Sequence, residues 1–127
     1  MRRFRSGPLA TVSGSGGSLE VWVAASFRAR LLGLAGLRAL PGGAALLIPS
    51  CAWVHTWGMR FPIDVAFVEW PPAPQGCAVL HVATAVRARR GVRISRPAAR
   101  TAVLEAAAGS LSSCGIERGC YLQLDAG

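Results

Sequence analysis

The chain has 127 residues, 52% of them hydrophobic and 16% charged, which excludes a disordered tail and fits one packed domain. Its net charge is +8, and all fourteen basic side chains are Arg. A GC-rich genome explains Arg over Lys but not the shortage of acids, so an anionic partner stays open.

Residues 1–18, MRRFRSGPLATVSGSGGS, carry positive charge with no apolar stretch behind it. They read as a flexible Gly/Ser-rich leader and not as a secretory signal, which makes residues 19–127 a single cytoplasmic domain. In a reducing compartment Cys51, Cys77, Cys114 and Cys120 are free thiols. The longest apolar run, Leu31 to Pro49, contains Arg38, Pro41 and the Gly42–Gly43 pair, so it is no membrane span.

Leu19 to Val23 alternates with period two and predicts a first strand. Ser26 can cap a short helix over Phe27 to Leu34. Pro41-Gly42-Gly43 is a turn, and Ala44 to Ile48 a buried strand. Cys51 to Trp57 reads as strand or extended loop, and Ile63 to Trp70 as a strand apolar on both faces except at Asp64. A stiff Pro-rich connection leads to a strand over Cys77 to Val86. Thr101 to Ala106 is another strand, Gly109 to Cys114 one helical turn, and Cys120 to Leu124 a last strand. The fold class is mostly β: a small closed β-barrel or jelly-roll-like sandwich with one or two short helices.

Chemistry concentrates between Val54 and Asp64, where His55, Arg60 and Asp64 stand among bulky apolar neighbours. An unpaired carboxylate on a doubly buried strand is costly, so Asp64 requires a cation or a set of backbone N–H donors. Arg60 and His55 are the nearest candidates, across a bend that Gly58 permits. One reading is a structural ion pair. The other is a site with His55 as acid/base and Asp64 as its orienter. Glu105 reads as an exposed strand residue or as a second carboxylate converging on His55 or Arg60, which would suit glycosidase-like work. On a strand, Trp53, His55 and Trp57 share a face and form a wall for a sugar ring or peptide.

Cys51 to His55 and Cys77 to His81 each show a four-residue interval, which on a strand spans about 13 Å, too far for one tetrahedral ion. Only a cross-strand pair such as His55 with His81 could meet, so neither metal nor cofactor is expected. Phosphate-binding glycine loops and a serine-nucleophile elbow are missing. The arginines from Arg87 to Arg100 read as a solvated face or an anion-binding patch. No aromatic residue interleaves them along the chain, which argues against a base-stacking platform and against nucleic acid.

Residues 54–69, VHTWGMRFPIDVAFVE, resemble the signature of the family called domain of unknown function 192. Residues 29–41, ARLLGLAGLRALP, are similar to its arginine–leucine–glycine–leucine segment. Residues 102–119, AVLEAAAGSLSSCGIERG, are similar to its leucine–glutamate, alanine–glycine and glycine–isoleucine/leucine–x–x–glycine pattern. The resemblance spans residues 19–124 and implies a small barrel or jelly-roll-like domain with no established activity. It gives His55, Gly58, Met59, Arg60, Pro62, Asp64, Glu105 and Gly109 as signature positions. Cys120 stands where the family has aspartate. Val86 to Arg90 lacks the family's proline–tryptophan–arginine cluster, so an aromatic wall there would be missing.

The expectation is a non-enzymatic binding or accessory module with a small pocket of Trp53, His55, Trp57, Met59, Arg60, Asp64 and Glu105. Its partner would be a carbohydrate, a peptide or a protein segment. The alternatives are a small hydrolase-like enzyme using His55 with Asp64 or Glu105, and a weak anionic-surface binder through Arg87 to Arg100. The sequence specifies neither the ligand nor an oligomeric state.

Overall fold

Strands dominate because Val, Ile, Leu and Phe recur at alternating positions between Gly- and Pro-rich turns. The computed structural model describes residues 10–24, 34, 37, 40 and 42–126. The helix expected over Phe27 to Leu34 lies outside these, apart from Leu34. The strands are β1 (Ala10–Gly14), β2 (Gly17–Val23), β3 (Ala44–Ile48), β4 (Trp53–His55) and β5 (Ile63–Glu69). After them come β6 (Cys77–Val86), β7 (Gly91–Arg93), β8 (Thr101–Ala107) and β9 (Tyr121–Ala126). One helical turn, α1 (Ser110–Ser113), sits between the last two.

Seven strands close a barrel in the order β1-β2-β3-β8-β5-β6-β9, with β9 returning to β1. The closed-barrel expectation therefore holds. All neighbours are antiparallel except β2 and β3, whose parallel pairing requires the long crossover between them. Among the described residues no helix is long and apolar enough to cross a membrane.

Successive residues of β5 and β8 face opposite sides of the wall, and both sides are buried. Inside, Val21, Leu47, Ala66, Leu104, Leu111 and Ile116 fill the lumen. Outside, Leu46, Val65, Phe67 and Val103 are covered by Leu34, Leu40 and Val54. This double burial is why these strands read as apolar on both faces. Among the described residues a cavity of about 10 Å³ lies at one mouth of the lumen, lined by apolar side chains including Leu47, Trp70 and Leu124. That is space for about one water and for no larger ligand.

The leader reading is corrected at residues 10–18. They form the β1–β2 hairpin, Ala10 pairing with Val21 and Gly14 with Gly17. The hairpin tip presses onto the end of α1, where the Gly16 N–H donates to the Cys114 carbonyl at 3.0 Å. A Cβ at Gly14 would collide with that same carbonyl oxygen. Glycine here permits close backbone approach, where composition alone suggested a linker.

Candidate functional site

The segment from residue 49 to residue 62 leaves the barrel and returns through β4, which pairs with β7 in a separate two-stranded ribbon. The register is Trp53 with Arg93, Val54 with Val92, and His55 with Gly91. Alternation decides its orientation. Val54 and Val92 turn down onto the outer apolar layer of the barrel, so Trp53, His55 and Arg93 turn up. Trp53 is 53% exposed and Trp57 58% exposed, an unusual placement for indoles in a small domain.

Trp53 packs against His55, and Arg89 lies against Trp57. Trp53 and His55 have centroids 5.4 Å apart at a 47° tilt. The Trp57 backbone N–H donates to His55 Nδ1 at 3.3 Å. Arg89 places its guanidinium carbon 5.7 Å from the Trp57 ring centroid, a cation–π distance. A Cβ on Gly91 would lie 3.5 Å from Trp53 Nε1, so the indole rests over a position with no side chain.

Thr56, fully buried, anchors the loop that brings those arginines across. Its hydroxyl donates to the Arg87 carbonyl and accepts from the Arg90 N–H at 2.8 Å. Its own N–H donates to the Arg90 carbonyl at 2.9 Å, and its carbonyl accepts from the Arg89 N–H at 3.3 Å. The Thr56-to-Met59 turn that follows is closed by the Met59 N–H on the Thr56 carbonyl, with Gly58 at φ 81°. Such a φ favours glycine. Sequence reading passed over Thr56; its one signal was a polar residue inside an apolar signature.

Asp64 does not belong to this surface. Its side chain is wholly buried and meets neither Arg60 nor His55. It accepts instead from the N–H groups of Ala85 and Gly109, each at 2.9 Å, and of Leu111 at 3.3 Å. Of the two possibilities open in the sequence, backbone donors neutralise it. Ala85 has φ 50°, left-handed for a residue with a Cβ, and lies where the β5–β6 register slips between Ile63 and Val65. Asp64 thus holds a β-bulge that ends β6 and releases the arginine loop.

Glu105 lies across the wall from Asp64. It pairs with Val65 and Leu46, whereas Asp64 pairs with Ala106, so the two carboxylates face opposite sides of the sheet. A shared two-carboxylate pocket is therefore ruled out for this pair. Glu105 is 4% exposed, which corrects the exposed-strand reading. Among the described residues it has no hydrogen-bond or ion-pair partner, and burial pushes its carboxyl up to about 7. Met59 is buried in the same outer layer, while Arg60 is exposed.

His55 meets no carboxylate among the described residues, so neither Asp64 nor Glu105 orients it as a base. His81 stacks on Phe67 at 6.3 Å and 28°, on the barrel's outer face. Among the described residues no three His, Cys, Asp or Glu side chains gather where a metal could bind. Cys77, Cys114 and Cys120 are free thiols, and burial raises those of Cys77 and Cys114. At Cys120 the backbone does the structural work: its carbonyl accepts from the Val79 N–H at 2.8 Å, closing β6 on β9.

A closed β-barrel with an appended, ring-bearing ribbon is the class these features define. The chain belongs to the DUF192 family, described as "Uncharacterized ACR", whose model matches residues 9–124 and so includes β1. A protein of unknown function from Novosphingobium aromaticivorans has a similar crystal structure, with a TM-score of 0.72 and 20% identity. The match covers 91% of this chain and 83% of that one. A protein from Sinorhizobium meliloti, provisionally described as a transcription regulator, matches with a TM-score of 0.71 and 18% identity over 91% of both chains. Both likenesses establish the fold. No curated protein matches the sequence.

Proposed function

We propose that this domain is a non-enzymatic binding module whose ligand surface is the solvent face of the β4–β7 ribbon. Trp53, His55 and Trp57 form the wall, and the barrel is its scaffold. The observation that carries this reading is the exposure of two indoles, 53% for Trp53 on the ribbon and 58% for Trp57 in the turn that follows β4, while the ribbon's other face is already used for packing. Exposed aromatic rings left free of the core favour ligands with a flat or ring-shaped apolar face. Of the carboxylates a hydrolase would need, Asp64 is bonded to backbone N–H groups inside the wall and Glu105 is buried on its covered side.

Tryptophan fluorescence during titration with neutral oligosaccharides, aromatic peptides and short oligonucleotides tests the reading. At least one class should perturb the wild-type signal, and the Trp53→Ala/Trp57→Ala variant should bind it at least about tenfold more weakly. Equal binding by the folded double variant would remove the wall from consideration.

A further inference from the structure

Along the chain the tryptophans and the arginines are separate; in the fold they alternate. Trp53 stands opposite Arg93 in the ribbon register, and Arg89 lies against Trp57. Arg87, Arg89, Arg90 and Arg93 are all exposed. The segments 49–62 and 86–100, which build this face, contain seven Arg and no Asp or Glu. Asp64, next in sequence, is sealed against backbone N–H groups within the wall. Nothing within those two segments offsets the guanidinium charge, and the Arg89 guanidinium sits beside a ring large enough to stack on a base.

We infer that the ribbon face docks single-stranded nucleic acid, bases stacking on Trp53 and Trp57 while Arg87, Arg89, Arg90 and Arg93 meet phosphates. The inference rests on the reading of the ribbon as the binding face and names its ligand. Alternating flat rings and anions are what a single strand presents, and indoles interleaved with guanidiniums match both. A duplex hides its base faces and leaves the indoles without a role. A lipid surface calls for aliphatic depth, yet the exposed large hydrophobic residues among those described are Trp53, Trp57 and Tyr121 alone.

Fluorescence anisotropy of a labelled oligothymidylate of about 12 nucleotides, from about 50 to about 200 mM salt, tests it. Parallel arms use duplex DNA, a sulfated polysaccharide, anionic phosphatidylserine vesicles and a neutral oligosaccharide. The single strand should bind most tightly, with a log–log salt slope near about −3 for four phosphates. Trp57→Ala and Trp53→Ala should each weaken it at least about fivefold. Arg89→Gln/Arg93→Gln should make the slope shallower by about 1.4. Circular dichroism confirms that each variant is folded. Equal affinity for duplex, polysaccharide or vesicles, with no effect of Trp→Ala, would reduce the face to a bare cationic patch and overturn the inference. A neutral oligosaccharide that binds through the tryptophans while the oligonucleotide does not would overturn the nucleic-acid assignment and leave the binding wall standing.

Discussion

A carboxylate in an apolar strand persists only when hydrogen bonds replace its lost water, and Asp64 obtains three of them from backbone N–H groups. Removing the acceptor leaves those donors without their partner, the buried Leu111 N–H among them. Asp64→Ala should lose at least about 3 kcal/mol in urea unfolding, and Asp64→Asn, which keeps one acceptor oxygen, should fall between it and wild type. Glu105 presents the opposite case. Burial without a described partner raises its carboxyl from 4.5 to about 7, so the folded state holds a proton that the unfolded state has released. Its contribution to stability is full below 4.5 and is lost as pH rises towards about 7, by about 3 kcal/mol in all. Glu105→Gln should flatten that decline and should be the more stable form at pH near about 8. The need of Asp64 for partners was legible in its apolar neighbours. Their identity was not, because they lie 21 to 47 residues away and are delivered by a bulge and a helical turn.

The strands with clear alternation or long apolar runs, β3, β5, β6 and β8, stand within a residue of where periodicity puts them. Two elements, β7 and β1, did not announce themselves. β7 has three residues, too few for any period, and β1 is followed by the glycines that resembled a linker. Packing accounts for those glycines, and substitution separates the two explanations. Gly14→Ala should destabilise by about 1–3 kcal/mol because the added methyl meets the Cys114 carbonyl. Gly42→Ala, where a Cβ meets nothing within 4 Å, should leave the thermal midpoint nearly unchanged. Thr56 offers a second test. Thr56→Val removes the hydroxyl shared by the Arg87 carbonyl and the Arg90 N–H, and should cost about 1–3 kcal/mol. Faster amide exchange confined to residues 87–90 and the ribbon would identify the loop as the part released.

Across the molecule, the packed core and the proposed binding face occupy different places. The barrel wall carries the buried acids and both apolar layers, and apolar side chains pack its lumen. The ribbon carries the exposed rings and, with the adjoining arginine loop, most of the uncompensated positive charge. The family signature was readable from residues 54–69, the barrel class from the strands along the chain, and the candidate Trp–His–Trp face from its spacing. The meeting of that face with Arg89 and Arg93 was not, since it depends on a cross-ribbon register between segments more than thirty residues apart. The indole N–H signals of the four tryptophans, followed by nitrogen-edited NMR as an oligothymidylate is added, report on both regions at once. Binding at the ribbon moves the Trp53 and Trp57 signals and leaves Trp22 and Trp70 in place. Movement of Trp70, at the barrel mouth, with Trp53 and Trp57 fixed, or no movement of any of the four, would contradict it.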